Sequence, residues 1–158
     1  MLHDPEPMVR RNAALSLVRF QDDAGHDEVV SMLRPTPIPS PATGTLKLRL
    51  KPDDTVDVDT LLAHIEGPSS TLEVRSNVPG RVVKAMAADG AAVQQGDPVY
   101  LLAPSDDEVF EALRALYLIG RPEDLADVTA ATGPGTVVST RVQQQASLTA
   151  ESIRGRNR

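Results

Sequence analysis

The sequence contains no cysteine, and that absence removes several kinds of site at once. Without thiols the chain can form no disulfide, no thiolate zinc site and no iron–sulfur ligation, and it has no thiol nucleophile. No stretch approaches the ~20 consecutive apolar residues of a membrane span. The N-terminus lacks the basic and apolar regions of a signal peptide. These absences predict a cytoplasmic protein without a membrane span.

Aromatic residues and lysines are also scarce. The chain has no Trp, two Tyr and two Phe, so its core must depend on Val, Leu, Ile and Ala. Lys47, Lys51 and Lys84 are its only lysines, and the net charge is −6 at pH 7. Because non-specific nucleic-acid affinity comes from clustered Lys and Arg, this balance argues against nucleic acid as a partner.

Hydrophobic periodicity divides the chain into three zones and predicts an α+β protein. Residues 1–35 and 105–158 have helical spacing, and the second of these zones ends in a basic segment that we expect to be frayed. Residues 36–104 alternate apolar and polar side chains and are punctuated by Gly and Pro, which is typical of short β-strands. The zones therefore predict a β domain at residues 36–104 between two helical segments.

The predicted helices have recognisable starts. Asp4 is the expected N-cap of the first helix, with Pro5 in its first turn. One apolar stripe of that helix is predicted to consist of Val9, Ala13, Leu17 and Phe20. Asp27 is the expected cap of a short second helix. Ser105 and Glu108 have the spacing of a capping box, in which each side chain bonds the backbone N–H of the other.

The β zone contains an internal repeat. Residues 40–46 align with residues 76–82 at a shift of 36, and residues 53–62 align with 90–99 at a shift of 37. Each half, 40–66 and 76–103, is expected to form strand, turn, short strand, turn and strand. Each half is too small to bury its own apolar face, so the halves are expected to pair around a pseudo-two-fold axis.

These half-motifs resemble those of biotin carboxyl carrier and lipoyl domains, which have the barrel-sandwich hybrid fold. The second half keeps the family pattern through Gly90, Val93 and Gly96, followed by Asp97 and an apolar strand. The first half has Asp53 and Asp59 where the family usually has Gly. Asp is among the next best residues at positive φ, so we expect both turns to survive.

The resemblance also locates the position at which the family attaches its cofactor. The modified lysine of these domains lies at the tip of the hairpin between the halves, flanked by methionines. In this chain Ser69 occupies the expected lysine position, and Pro68 and Ser70 replace the methionines. A hydroxyl cannot form the amide that attaches biotin or lipoate. The resemblance therefore implies a biotinyl/lipoyl-like β-barrel without its acceptor lysine and without a cofactor.

The first helical zone resembles a HEAT repeat. Pro7, Val9 and Arg10 stand at positions of its first-helix motif, and the later helices follow looser versions. Two repeats and a final helix fall short of the roughly three repeats that a solenoid needs to stand alone. This resemblance implies helices that pack on the barrel, on a missing N-terminal part or on another protein. A generic helical hairpin is the alternative.

Sites for catalysis or metal binding are not predicted. His3, His26 and His64 are scattered and show no metal-ligand spacing. Aspartates 53–59 lack the glycine and the closing glutamate of a calcium loop. His64 precedes Ser69 and Ser70, but an exposed hairpin tip is a poor place to exclude water for acyl transfer. We therefore expect no catalytic residue, no metal and no enzymatic activity.

The sequence predicts a non-enzymatic scaffold or adaptor that binds a protein partner. Two places are expected to contact the partner: the arginine stripe Arg10, Arg11 and Arg19, and the hairpin residues Pro68, Ser69 and Ser70. The alternative is a carrier-type or membrane-fusion-adaptor-like accessory subunit of a larger bacterial complex. The cofactor-attaching role of some HEAT-like lyases is a further alternative, although no catalytic constellation supports it.

Overall fold

The protein is described by a computed structural model that covers residues 1–156. The chain divides into two compact units, one helical and one of β-sheet. The helical unit is made of residues 1–34 and the described residues from 105 onward, and the β unit is Pro35–Pro104. The β unit is thus inserted between two segments of one helical unit. No helix within residues 1–156 combines the length and the apolar character needed to cross a bilayer.

The helical unit is formed by α-helices from both segments. They are α1 (Pro7–Val18), α2 (His26–Ser31), α3 (Asp106–Ile119), α4 (Leu125–Ala130) and α5 (Thr140–Arg156), with a 3₁₀ turn at Pro122–Asp124. Their shared core contains Val29, Leu113, Leu116, Val142 and Ile153. Whether these helices are HEAT repeats stays a prediction.

Helix α1 differs from its sequence prediction in both its start and its buried face. It begins at Pro7 with Glu6 as N-cap, because the Asp4 carboxylate accepts from the Glu6 N–H before the helix starts. The predicted stripe was wrong, since Val9 is 38% exposed and Phe20 is 83% exposed. The buried face is Pro7, Arg11, Ala14 and Val18. The packing of α2 and α3 against α1 selects this face.

Two other helix ends also differ from expectation. Gly25, not Asp27, is the N-cap of α2. The predicted capping box of α3 is half formed: Ser105 Oγ accepts from the Glu108 N–H, while the Glu108 side chain turns to Arg11.

The C-terminal segment is helical through Arg156 rather than frayed from Arg154. The Arg156 guanidinium donates to the carbonyls of Leu116, Tyr117 and Gly120, and so it neutralises the otherwise unpaired end of α3. The last two residues of the predicted frayed segment, Asn157 and Arg158, lie outside the described residues.

The β unit is formed by two four-stranded antiparallel sheets. Its strands are β1 (Thr36–Pro39), β2 (Gly44–Leu48), β3 (Thr55–Val56), β4 (Leu61–Glu66), β5 (Thr71–Arg75), β6 (Gly80–Ala85), β7 (Ala92–Val93) and β8 (Pro98–Pro104). The sheet orders are β1-β8-β6-β3 and β5-β4-β2-β7. The counterparts in the two halves are β1 and β5, β2 and β6, β3 and β7, and β4 and β8. Exchanging each strand for its counterpart converts one sheet order into the other. The two halves therefore have the pseudo-two-fold relation that the internal repeat predicts.

Equivalent hydrogen bonds mark the same positions in both halves. Ser40 Oγ donates to the Ala42 carbonyl at 2.6 Å, and Ser76 Oγ donates to the Val78 carbonyl at 2.5 Å. Both serines are buried. Each hydroxyl satisfies a backbone group at a bend that has left the sheet. The same side-chain-to-backbone hydrogen bond therefore stands at matching positions of the two half-motifs.

The turns of the first half use aspartate where the second half uses glycine. Asp53 and Asp59 have φ values of 74° and 68°, and their counterparts Gly90 and Gly96 have 82° and 91°. This left-handed region disfavours most side chains, and Asp tolerates it better than β-branched residues. The expectation that both turns survive the loss of glycine is confirmed.

The two sheets enclose an aliphatic core. Leu46, Leu62, Ile65 and Leu102 are among its fully buried side chains, together with Tyr100. The Tyr100 hydroxyl donates to the Leu50 carbonyl at 2.9 Å and accepts from the Leu50 N–H at 3.1 Å. Leu50 lies beyond the end of β2, where no neighbouring strand within residues 1–156 pairs with it. The Tyr100 hydroxyl therefore hydrogen-bonds both the N–H and the C=O of Leu50.

Candidate interaction sites

The hairpin between the two half-motifs connects β4 and β5. Glu66 pairs with Thr71, and the Gly67 N–H donates to the Ser70 carbonyl at 2.9 Å. The turn therefore consists of Gly67 to Ser70. Pro68, Ser69 and Ser70 are all exposed. The structure thus places the three predicted hairpin residues together at one exposed tip.

The lysines of the chain lie away from this tip. Lys47 is on β2, opposite His64 on β4. Lys84 is on β6, opposite Leu101 on β8. Lys51 follows β2, and its backbone N–H donates to Asp54 Oδ2 at 2.9 Å. The segment from Gly67 to Ser70 contains no primary amine for amide formation.

The three arginines predicted to form a stripe do not share one exposed surface. Arg10 pairs with Glu28 at 3.1 Å and also donates to the Asp4 carbonyl. Arg11 is 5% exposed and is paired with the buried Glu108 of α3. Arg19 is exposed, and its side chain has no hydrogen-bond or ion-pair partner among residues 1–156. The prediction of a continuous exposed stripe was wrong, because Arg11 faces the core.

The Arg11–Glu108 pair joins α1 to α3 inside the helical unit. Within residues 1–156, Arg11 Nε and Glu108 Oε2 have no hydrogen-bond partner. Burial raises the pKa of the Glu108 carboxyl above its ordinary value, and the nearby Arg11 charge opposes that shift. The pair is therefore incompletely satisfied, and it connects two segments that are distant in sequence.

A second buried polar pair was missed by sequence reasoning. His26 Nε2 lies 2.8 Å from Asp124 Oδ2, and both residues are buried. The same Asp124 oxygen accepts from the Arg121 N–H at 2.7 Å. In the described part of the chain no hydroxyl is hydrogen-bonded to His26 to complete a nucleophile–base pair. The pair therefore joins α2 to the 3₁₀ turn at Pro122–Asp124.

Clusters that could bind a metal were also sought. Within residues 1–156, no group of three or more His, Asp or Glu side chains is placed to hold an ion. The aspartates of the first half instead support turns, as when Asp54 Oδ2 accepts from the Lys51 N–H.

The helical unit has an exposed apolar groove between α3 and α5 that the sequence analysis did not single out. Tyr117 is 43% exposed, Leu118 54% and Leu148 53%, and Arg114 and Gln145 complete the lining. Helical periodicity could have indicated these residues, but it could not show which apolar positions remain uncovered. Clustered exposed apolar side chains are typical of interaction surfaces.

Comparison with known proteins agrees with the geometry of the β unit. The model of a biotin/lipoyl family, described as "Biotin-requiring enzyme", matches residues 32–102. Residues 32–102 are a biotinyl/lipoyl-like domain. The match covers less than half of the chain and leaves most of the helical unit outside it. No curated protein matches the chain.

Two solved structures are similar to parts of the chain. An aspartoacylase family protein from Mesorhizobium loti is 19% identical, with 43% of this chain and 22% of that chain covered and a TM-score of 0.39. A single-chain, multi-domain long-chain acyl-CoA carboxylase is 19% identical, with 78% and 15% covered and a TM-score of 0.42. The chain therefore spans less than a quarter of either protein.

Proposed function

We propose that the chain is a non-enzymatic scaffold or adaptor module whose biotinyl/lipoyl-like domain carries no attached cofactor. The observation that supports the proposal is the composition of the exposed hairpin turn. Amide formation with a carboxylated cofactor needs a primary amine, and Ser69 offers a hydroxyl between Pro68 and Ser70. An exposed hairpin without an amine can contact a partner but cannot hold an amide-linked swinging arm.

The helical unit supplies the second part of the proposal, which is binding of a protein partner. Tyr117, Leu118 and Leu148 remain exposed in the α3/α5 groove. Burying them against a partner would remove apolar surface from water, which is the main favourable contribution to association. The HEAT-like reading leads to the same expectation, because stacked helical repeats bury their faces against neighbours. A cytoplasmic location and the absence of nucleic-acid binding remain part of this proposal.

A carrier-type accessory subunit is the second candidate, and the family match over residues 32–102 favours it. It would need an unusual attachment, because the turn from Gly67 to Ser70 contains no primary amine. The membrane-fusion-adaptor reading has less support, because such adaptors place a long coiled-coil hairpin where this chain has the turn from Gly67 to Ser70.

Intact-mass measurement on protein purified from its native host separates these candidates. We expect the mass of the unmodified chain, allowing only for ordinary terminal processing. An adduct the size of biotin or lipoate would refute the proposal. Peptide mapping of that adduct would then show whether it lies on the hairpin or on one of the three lysines.

Restoring the family residues at the hairpin tests the assignment of Ser69. The triple variant Pro68→Met, Ser69→Lys, Ser70→Met leaves Gly67 and Thr71 in place, so the β4–β5 ladder should be preserved. Co-expressed with a biotin ligase, it should bind streptavidin. The matched control has Ser69→Arg with both methionines, because arginine keeps the positive charge but offers no amine for this linkage. A triple variant that folds but is never biotinylated would contradict the assigned hairpin position.

A further inference from the structure

Strands β1 and β5 are the counterparts at the outer edges of the two sheets. Among the strands of residues 1–156, each pairs with one neighbour, β1 with β8 and β5 with β4. The free side of an edge strand presents a row of unpaired N–H and C=O groups. Such a row is a template for another strand, and proteins often block it with proline or charge.

The β1 edge is blocked by proline. Pro35, Pro37 and Pro39 alternate with Thr36 and Ile38, which face β8 in the sheet ladder. Proline has no N–H to donate, so it is compatible with a strand only where the N–H would point outward. Every outward-facing position of β1 therefore lacks a backbone donor.

The corresponding positions of β5 carry no proline. A shift of 36 residues converts Pro35, Pro37 and Pro39 into Thr71, Glu73 and Arg75.

Backbone hydrogen bonds at both ends of β5 set the phase of its ladder. Ser70 accepts from Gly67, and the Ser76 N–H donates to the Thr60 carbonyl at 3.0 Å. Because antiparallel bonding alternates along a strand, the odd-numbered residues of β5 point their backbone groups outward. Thr71, Glu73 and Arg75 are all exposed.

The side chains of this open edge are complementary to themselves. Glu73 and Arg75 are both 47% exposed, lie on one face of the strand and form an ion pair at 2.7 Å. In an antiparallel pair of two β5 strands centred on Val74, Glu73 of each copy would stand opposite Arg75 of the other. Centring on Glu73 would instead place like charges opposite each other, which is unfavourable.

We propose that β5 pairs antiparallel with β5 of a second copy of this chain, centred on Val74. The two sheets of order β5-β4-β2-β7 then join into one continuous sheet across a two-fold axis. The inference is independent of whether the domain carries a cofactor. A five-residue strand buries less surface than a stable obligate interface, so the dimer is weak and depends on concentration.

Sedimentation velocity of the full chain from micromolar to millimolar concentration tests the proposal. The weight-average mass should rise towards twice that of the monomer. Glu73→Pro should abolish this rise, because it removes one outward N–H while leaving the β4 ladder intact. Pro37 shows that the fold accepts proline at the equivalent position. Glu73→Gln keeps the N–H and should weaken dimerisation only a few-fold.

Charge reversal provides a test that does not depend on the proline variant folding. Glu73→Arg and Arg75→Glu should each weaken dimerisation by roughly tenfold, and the double reversal should restore it, because each reversal changes two cross-strand pairs per dimer. Phe20→Ser removes an apolar side chain that is 83% exposed just after α1, and it should have no effect on dimerisation. A chain that stays monomeric, a dimer that survives in folded Glu73→Pro, or a double reversal that fails to restore dimerisation would overturn the proposal.

Discussion

The Arg11–Glu108 pair allows a quantitative prediction about the helical unit. Their side chains are 6% and 8% exposed, so a variant that removes one partner leaves the other in the core. Removing one member of a buried pair typically costs about 3–5 kcal/mol of unfolding free energy, whereas replacing both with apolar residues is often nearly neutral. The unpartnered Arg11 Nε and Glu108 Oε2 favour the nearly neutral outcome for the double variant.

The two single variants should respond differently to pH. The Arg11→Met substitution removes the positive charge that lowers the pKa of Glu108. Burial then raises this pKa without opposition from a nearby charge. The carboxyl can avoid a buried charge by taking up a proton, which costs about 1.4 kcal/mol for each pH unit above its unfolded pKa. With an unfolded-state pKa of about 4.3, protonating Glu108 costs about 4 kcal/mol at pH 7 and about 1 kcal/mol at pH 5. These values are the upper limits on the cost of Arg11→Met. The raised pKa means that stability is retained at low pH and lost as pH rises.

Glu108→Leu has no such escape, because the Arg11 guanidinium cannot lose its proton in this range. Its cost should be about 3–5 kcal/mol and should depend much less on pH than the cost of Arg11→Met. Urea unfolding of the wild type, both single variants and Arg11→Met/Glu108→Leu at pH 5 and pH 7 measures the complete cycle. The reasoning fails if acidification does not reduce the cost of Arg11→Met, or if the double variant costs as much as the two single variants combined.

Two further predictions concern glycine and tyrosine. Gly80→Ala should destabilise the β unit by about 1–3 kcal/mol or more, because its Cβ would collide with the Ala103 carbonyl oxygen. Gly155→Ala should stabilise the protein by up to about 1 kcal/mol, because its Cβ would lie in open space on α5. Thermal unfolding compares the two variants, and equal effects would contradict the close-approach argument. Tyr100→Phe should cost about 1–3 kcal/mol at neutral pH, since it leaves both backbone groups of Leu50 unpaired. Burial raises the pKa of the Tyr100 phenol above the ordinary pKa of tyrosine. The phenol therefore stabilises the fold at pH values below that ordinary pKa, and this stabilisation is lost as the pH rises through the raised pKa. The difference in unfolding free energy between wild type and Tyr100→Phe should therefore become smaller as the pH is raised into the alkaline range. A difference that stays constant in denaturant unfolding at increasing pH would refute this prediction.

Local backbone requirements made the β unit predictable. The two half-motifs carry their own turn chemistry, such as Asp59 at positive φ and Ser76 at the bend after β5. These requirements act within a few residues, so they are visible as spacing. The position of the hairpin between the two half-motifs follows from the same residue spacing.

The helical unit was less predictable, because its buried face depends on distant segments. Periodicity marked Phe20 as a core residue, yet it is 83% exposed. Arg11 was assigned to the surface, yet it is buried against Glu108 of α3. A helix of small and charged residues can bury either of two faces, and the partner helix decides which one.

The sequence by itself determined the repeat, its turns and the absence of lysine between Gly67 and Ser70, since each of these depends on residue type at a fixed spacing. The tertiary structure alone decided which polar groups are buried together, because Arg11 meets Glu108 and His26 meets Asp124 only after α3 and the turn at Pro122–Asp124 return to the N-terminal helices. It also showed that β1 and β5 are outer strands, so that the alternating prolines lie on one sheet edge and are absent from the equivalent edge of the other sheet.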